Sequence, residues 1–106
     1  MRVWLDDVRA APDGWVHVKT PEEAIDLLRS GQVEEISLDH DLGLATPESE
    51  RTGYDVVAWL EEAVATGGWK HAVPEIHVHS ANPVGWQRME QAIKSIRRLD
   101  EARRSE

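Results

Sequence analysis

Three short apolar segments of this chain run straight into ionisable residues. Arg2-Val3-Trp4-Leu5 meets Asp6-Asp7, Glu35-Ile36-Ser37-Leu38 meets Asp39-His40-Asp41, and Glu75-Ile76-His77-Val78-His79 ends on its histidine before Ser80. Segments this short, apolar and bounded by polar clusters read as strands. Gly14-Trp15-Val16-His17-Val18-Lys19 alternates and reads as a further one. Helical patterns stand between them. Thr20-Pro21-Glu22-Glu23 is a helix start, with Thr20 as N-cap, Pro21 as first helical residue and Glu23 as capping-box acid. Ala24, Ile25, Leu27 and Leu28 give that helix its buried face, and Gly31 stops it. Val56, Trp59, Leu60, Ala63 and Val64 mark a second helix over 53–65, ended by Gly67-Gly68. Trp86, Met89, Ile93, Ile96 and Leu99 form the stripe of a third, beginning near Pro83 or Val84.

The order strand, strand, helix, strand, helix, strand, helix predicts an α/β fold with a mostly parallel sheet, covered on both faces. Only the segment Asp6–Gly14 separates the first two strands, too short for a helical crossover, so a loop is expected there. With no internal repeat and no linker, residues 1–106 are read as one domain, with 100–106 a solvated or frayed end. The 41% hydrophobic content excludes a disordered chain despite 30% charged residues. No apolar run approaches a membrane span, so no membrane partner is expected. The chain lacks cysteine, which removes disulfides and thiolate metal sites and fits a cytoplasmic location. A net charge of −8 argues against an extended nucleic-acid surface, while leaving room for a nucleotide or an RNA end held by a few cations. The five tryptophans are spread along the chain and read mostly as packing residues.

In an open parallel sheet, ligands bind outside the carboxyl ends of the strands, where the strand order reverses. Those ends carry Asp6, Asp7 and Arg9; Asp39, His40 and Asp41; and His79, Ser80 and Asn82. Four carboxylates in one crevice either take up protons or bind a cation, and hard oxygen donors favour magnesium, calcium or manganese. Ligation by His40 or His79 would shift the balance towards manganese. Each feature also has a plainer reading: Asp6-Asp7 as a turn cap, Asp39 and Asp41 as turn residues, Arg9 as a solvated cation, His77 as the outer face of an edge strand. The convergence of all of them on one edge favours chemistry.

The acidic pair Asp6-Asp7, Asp39 at the end of the third strand and Ser80-Ala81 at the end of the fourth resemble the response-regulator receiver domain. There the pair holds magnesium, the third-strand aspartate accepts phosphate, and the hydroxyl residue senses it. No fifth strand follows the last helix, so the receiver lysine has no counterpart, and the first receiver helix is missing. The chain is more similar to the cyclic-phosphate processing receiver domains. The resemblance rests on Leu5-Asp6-Asp7-Val8-Arg9, Ser37-Leu38-Asp39-His40-Asp41-Leu42-Gly43, Thr52-Gly53-Tyr54-Asp55-Val56-Val57-Ala58-Trp59-Leu60 and His79-Ser80-Ala81-Asn82-Pro83-Val84-Gly85, with Met89.

That resemblance implies a reduced receiver-like (flavodoxin-like) sheet in the order 2-1-3-4 with three helices. It also implies metal-assisted processing of cyclic phosphates on nucleotides, ADP-ribose or RNA ends. Magnesium or manganese would be held by Asp6, Asp7, Asp39 and Asp41. Arg9, Ser80 and Asn82 would orient the phosphate, and His40 or His79 would protonate the leaving oxygen. A covalent variant has Asp39 as nucleophile and Asp41 as proton donor. The alternative to an enzyme is a phosphoryl-accepting or ligand-sensing signalling module. The absent lysine and the extra His40, Asp41, His79 and Asn82 favour the enzyme. Without a fifth strand, the outer edge of the fourth is expected to be unpaired and open to homodimer formation.

Overall fold

A computed structural model of the chain describes residues 1–39, 52–79 and 83–105. The elements are β1 (Arg2–Leu5), β2 (Val16–Val18), α1 (Pro21–Arg29), β3 (Glu35–Leu38), α2 (Gly53–Ala65), β4 (Glu75–Val78) and α3 (Pro83–Arg104). All strands are parallel, in the order β2-β1-β3-β4. This is a receiver-like α/β fold, with four strands and three helices among the described residues. The segment between β1 and β2 contains no helix, as its length requires.

The cap of α1 and the stop at Gly31 act as the sequence predicts, and the structure adds a cap on α2 and a turn at Gly14. Thr20 caps α1 by accepting the Glu23 N–H at 3.2 Å, and its hydroxyl donates to the Glu23 carboxylate at 3.0 Å. Thr52 and Asp55 close a reciprocal capping box on α2, with the Thr52 N–H donating to Asp55 at 2.8 Å. Gly14 and Gly31 adopt φ of 85° and 74°, the left-handed region that glycine enters without steric cost.

The expectation of a sheet covered on both faces is corrected. Paired residues in a parallel sheet share a face, so Val3, Ile36 and Ile76 lie together, as do Leu5, Leu38 and Val78. These side chains merge with Ala24, Ile25 and Leu28 of α1, Val56, Val57 and Leu60 of α2, and Met89, Ile93 and Ile96 of α3 into one core. All three helices thus pack on a single face. The other face carries Arg2, Glu35 and Glu75, then Trp4, His17, Ser37 and His77, and no described helix covers it. The physical reason is the lost crossover: the helix that would cover this side has no chain between β1 and β2 from which to form.

Three smaller expectations also change. β2 is only three residues long, because Gly14 and Trp15 are spent on a turn in which the Trp15 N–H donates to the Pro12 carbonyl at 3.1 Å. Trp86 lies 44% exposed instead of on the buried stripe of α3. The tail is solvated and not frayed: most of 101–105 is exposed, yet α3 continues to Arg104, and Arg103 donates to the carbonyls of Trp69 at 2.8 Å and His71 at 2.6 Å. Among the described residues, no helix is long and apolar enough to cross a membrane.

Candidate functional site

The chain leaves β1 through Asp6, which is 1% exposed and held on every side. Its N–H donates to the Val18 carbonyl at 3.1 Å, and its own carbonyl meets His17 Nε2 at 2.7 Å. One carboxylate oxygen, Oδ1, accepts the N–H groups of Val8 at 2.8 Å and Arg9 at 2.9 Å. The turn-cap reading of Asp6 is therefore true of one oxygen. The other, Oδ2, lies 3.1 Å from His79 Nε2. Burial pushes the Asp6 pKa up, but the two backbone donors and His79 together outweigh it and hold the carboxyl below its usual value.

His79 is framed by three residues. Its Nδ1 lies 2.7 Å from the Ser37 hydroxyl, its Nε2 meets Asp6, and its ring stacks on the Trp4 indole at 3.8 Å with 4° between the planes. Trp4 donates from Nε1 to the Arg9 carbonyl at 3.2 Å, and the Arg9 guanidinium donates to the His79 carbonyl at 2.9 Å. This closes a ring of contacts across the ends of β1, β3 and β4. Burial pulls the imidazole pKa below its ordinary value, against the opposing pull of the Asp6 and Asp39 charges.

Ser37 and Trp4 were not among the residues singled out for chemistry. Ser37 carried a signal, a hydroxyl inside an otherwise apolar strand, and its 4% exposure makes a partner obligatory. Trp4 looked like any packing tryptophan; only the pairing of β1 with β3 and of β3 with β4 brings it under His79.

Asp39 follows β3, its N–H donating to the Leu5 carbonyl at 2.9 Å. The start of α2 presses on it: a Cβ at Gly53 would overlap the Asp39 carbonyl oxygen and reach 3.2 Å from Met89 Cε. Gly53 and Met89 thus allow a helix to begin directly against the residue that ends β3. Carboxylate oxygens of Asp6, Asp7 and Asp39 all lie within 4.8 Å of one another. The structure therefore brings together Asp6, Asp7, Asp39, His79 and Arg9. His40, Asp41, Ser80 and Asn82 lie outside the described residues.

A second grouping, Glu35, Glu75 and His77, sits on the uncovered sheet face. His77 Nε2 is 2.8 Å from Glu35, whose other oxygen pairs with Arg2 at 3.1 Å. These are exposed or half-buried polar contacts, in keeping with the edge-strand reading of His77.

The carboxylate trio offers hard oxygen donors that could hold a cation. Each carboxylate oxygen has two lone pairs, so Asp6 Oδ2 can accept from His79 and still ligate. No curated protein and no solved structure matches the chain. A family model described as the cyclic-phosphate processing receiver domain matches residues 1–95, a span that holds every strand, α1, α2 and the first half of α3. With its fold, its acidic trio and that match in agreement, the chain belongs to the cyclic-phosphate processing receiver domain family.

Proposed function

We propose that the domain is a small metal-dependent phosphoesterase that processes a cyclic phosphate of a nucleotide, ADP-ribose or RNA end. The observation that carries this is the approach of the Asp6, Asp7 and Asp39 carboxylates to within 4.8 Å at the carboxyl edge of the sheet. Two unit charges at about 4 Å repel by roughly 4 kcal/mol at an effective dielectric of 20. A divalent cation would reverse that cost. Asp6, Asp7 and Asp39 would hold it, with Asp41 as the fourth carboxylate. Magnesium or manganese bound there supplies Lewis-acid polarisation of a phosphoryl oxygen and a water of lowered pKa.

The chain's own residues divide the remaining work. With one ring nitrogen on Ser37 and the other on Asp6, His79 is assigned to fixing the Asp6 carboxylate rather than to donating a proton. His40 then takes the leaving ribose oxygen's proton transfer, the usual task of an imidazole near neutral pH. Arg9 brings a cation to the same edge, and Ser80 and Asn82 orient the phosphate. The test is hydrolysis of 2′,3′-cyclic nucleotides and ADP-ribose cyclic phosphate with magnesium or manganese, with and without chelator. Turnover that chelator removes and Asp39→Asn abolishes is expected.

The same trio would also suit phosphoryl transfer to Asp39, as in a signalling receiver. Stable phosphorylation of Asp39 by a small phosphodonor, without hydrolysis of any cyclic phosphate, would replace the enzyme with that module.

A further inference from the structure

Away from the carboxyl edge, the last turns of α1 and α2 and the segment after α2 line an open cavity of about 450 Å³, within the range of small-molecule sites. Its walls include Arg29, Trp59, Glu62, Trp69, Lys70 and His71. We propose that this cavity is a second ligand site, for a flat aromatic ring bearing an acidic group, a phosphate or a carboxylate.

Two features select that chemistry. The first is the ring surface: Trp59 and Trp69 meet edge to face at 6.1 Å, and His71 meets Trp69 in the same way at 5.2 Å. Such surfaces favour a planar ligand. The second is charge. In a chain of net charge −8, this lining sets Arg29 and Lys70 against the single carboxylate of Glu62. Arg29 lies over Trp59 at 5.4 Å and also pairs with Asp26 at 3.2 Å, a contact open to solvent and weakly held.

The wall is also built, and not merely a gap left by packing. The Trp69 N–H donates to the Ala63 carbonyl at 3.0 Å. Arg103 grips the carbonyls of Trp69 and His71 at 2.8 and 2.6 Å. The His71 ring sits against Gly31, where any Cβ would overlap it. The end of α2, Arg103 of α3 and the turn at Gly31 therefore fix the 69–71 segment. Trp69, 6% exposed, keeps a buried indole N–H without an acceptor among the described residues. Buried polar groups are nearly always paired. A small turn of the indole towards an acidic ligand would satisfy it.

The test is a titration of the full ¹⁵N-labelled chain with AMP and with indole-3-acetate, in chelator so that metal-assisted binding at the carboxyl edge is silent. Adenosine and inorganic phosphate serve as the ring-only and anion-only controls. Saturable shifts of the Trp59 and Trp69 indole N–H signals and of the 66–71 amides are expected, with each control at least about tenfold weaker. The double variant Arg29→Ala, Lys70→Ala alters two exposed side chains and should weaken the anions about tenfold while the spectrum stays folded. A response to only one anion supports the site and assigns the acidic group. Absence of saturable shifts with either anion at millimolar concentration overturns the proposal. So does a response confined to residues 6–9, 39 and 79, or one undiminished in the double variant.

Discussion

Val3, Leu5, Ile36, Leu38 and Ile76 face the helices and are all buried, whereas their immediate neighbours Arg2, Trp4, Glu35 and His77 carry charge or rings and stay exposed or half-buried. One residue of offset separates a dry core from a wet, chemically equipped surface. The period of two continues past the strand ends: Asp6 follows Trp4, Asp39 follows Ser37 and His79 follows His77, each by two. The candidate site is thus the extension of the polar face beyond the sheet. The three helices buttress the opposite side, so rigidity comes from one face and the candidate site from the other.

The largest test of this division is to remove a buttress. Leu38→Ala cuts into the core beside Leu5 and Val78, and should cost about 2–5 kcal/mol of stability in urea unfolding. A loss under about 1 kcal/mol would mean that the helix face is not the seat of stability. Gly53→Ala tests the junction between the two regions. Alanine is the better helix former by about 1 kcal/mol, yet its Cβ would overlap the Asp39 carbonyl. The overlap should win, with a net loss of about 1–3 kcal/mol and weaker metal binding by calorimetry. A stabilised variant would show that α2 does not press on Asp39.

On the polar face, Ser37→Ala removes the partner of His79 Nδ1 and should cost about 1–3 kcal/mol. Magnesium or manganese affinity should fall with it, because His79 would no longer hold Asp6 in one orientation; Ser37→Thr should rescue part of both. Unchanged metal affinity in Ser37→Ala would reduce Ser37 to a packing residue.

Acid should act through the same pair. The His79 pKa is lowered from 6.5, so its neutral form belongs to the folded state. Its contribution is fully present above pH 6.5 and is lost as pH falls through the lower folded value. Asp6 is lowered from 3.8, so its contribution is present above pH 3.8 and is lost on further acidification through its folded value. Stability should therefore begin to fall just below pH 6.5, and His79→Gln should flatten that first decline and also shrink the second, because His79 helps the backbone donors hold the Asp6 carboxyl down. An identical slope in the variant would count against His79 as its source.

The sequence made most of this legible where the signal was local. Thr20, Pro21 and Glu23 announce α1 with chemistry contained within four residues, and α2 shows in the spacing of Val56, Trp59, Leu60, Ala63 and Val64; its Thr52–Asp55 capping box is equally local but emerges only in the structure. The 2-1-3-4 order came through resemblance, since no local pattern specifies which strands are neighbours. What otherwise escaped was non-local. The bare face follows from a missing crossover, the docking of α3 from an Arg103 that reaches back 34 residues to Trp69, and the framing of His79 from Ser37 and Trp4 on two other strands. A pairing that exists only after the sheet forms leaves little trace in neighbouring residues.

The smallest expected effect lies on the polar face away from the strand ends. His77 sits one step before the site on the same parity, with Glu35 at 2.8 Å and Glu75 at 3.7 Å. Its side chain is 44% exposed, so solvent screens both contacts, and Glu35 retains Arg2 at 3.1 Å when the imidazole is removed. His77→Ala should change stability by less than about 0.5 kcal/mol and leave metal affinity at the Asp6, Asp7 and Asp39 trio untouched. β4 is also an end strand of the sheet, the edge through which pairing with a second copy is proposed. His77 points out of the sheet plane, so its loss should leave the solution mass of the wild type unaltered. A large loss of stability, or a change in mass, would mean that the polar face is covered in solution, and the contrast between the two faces would then have to be redrawn.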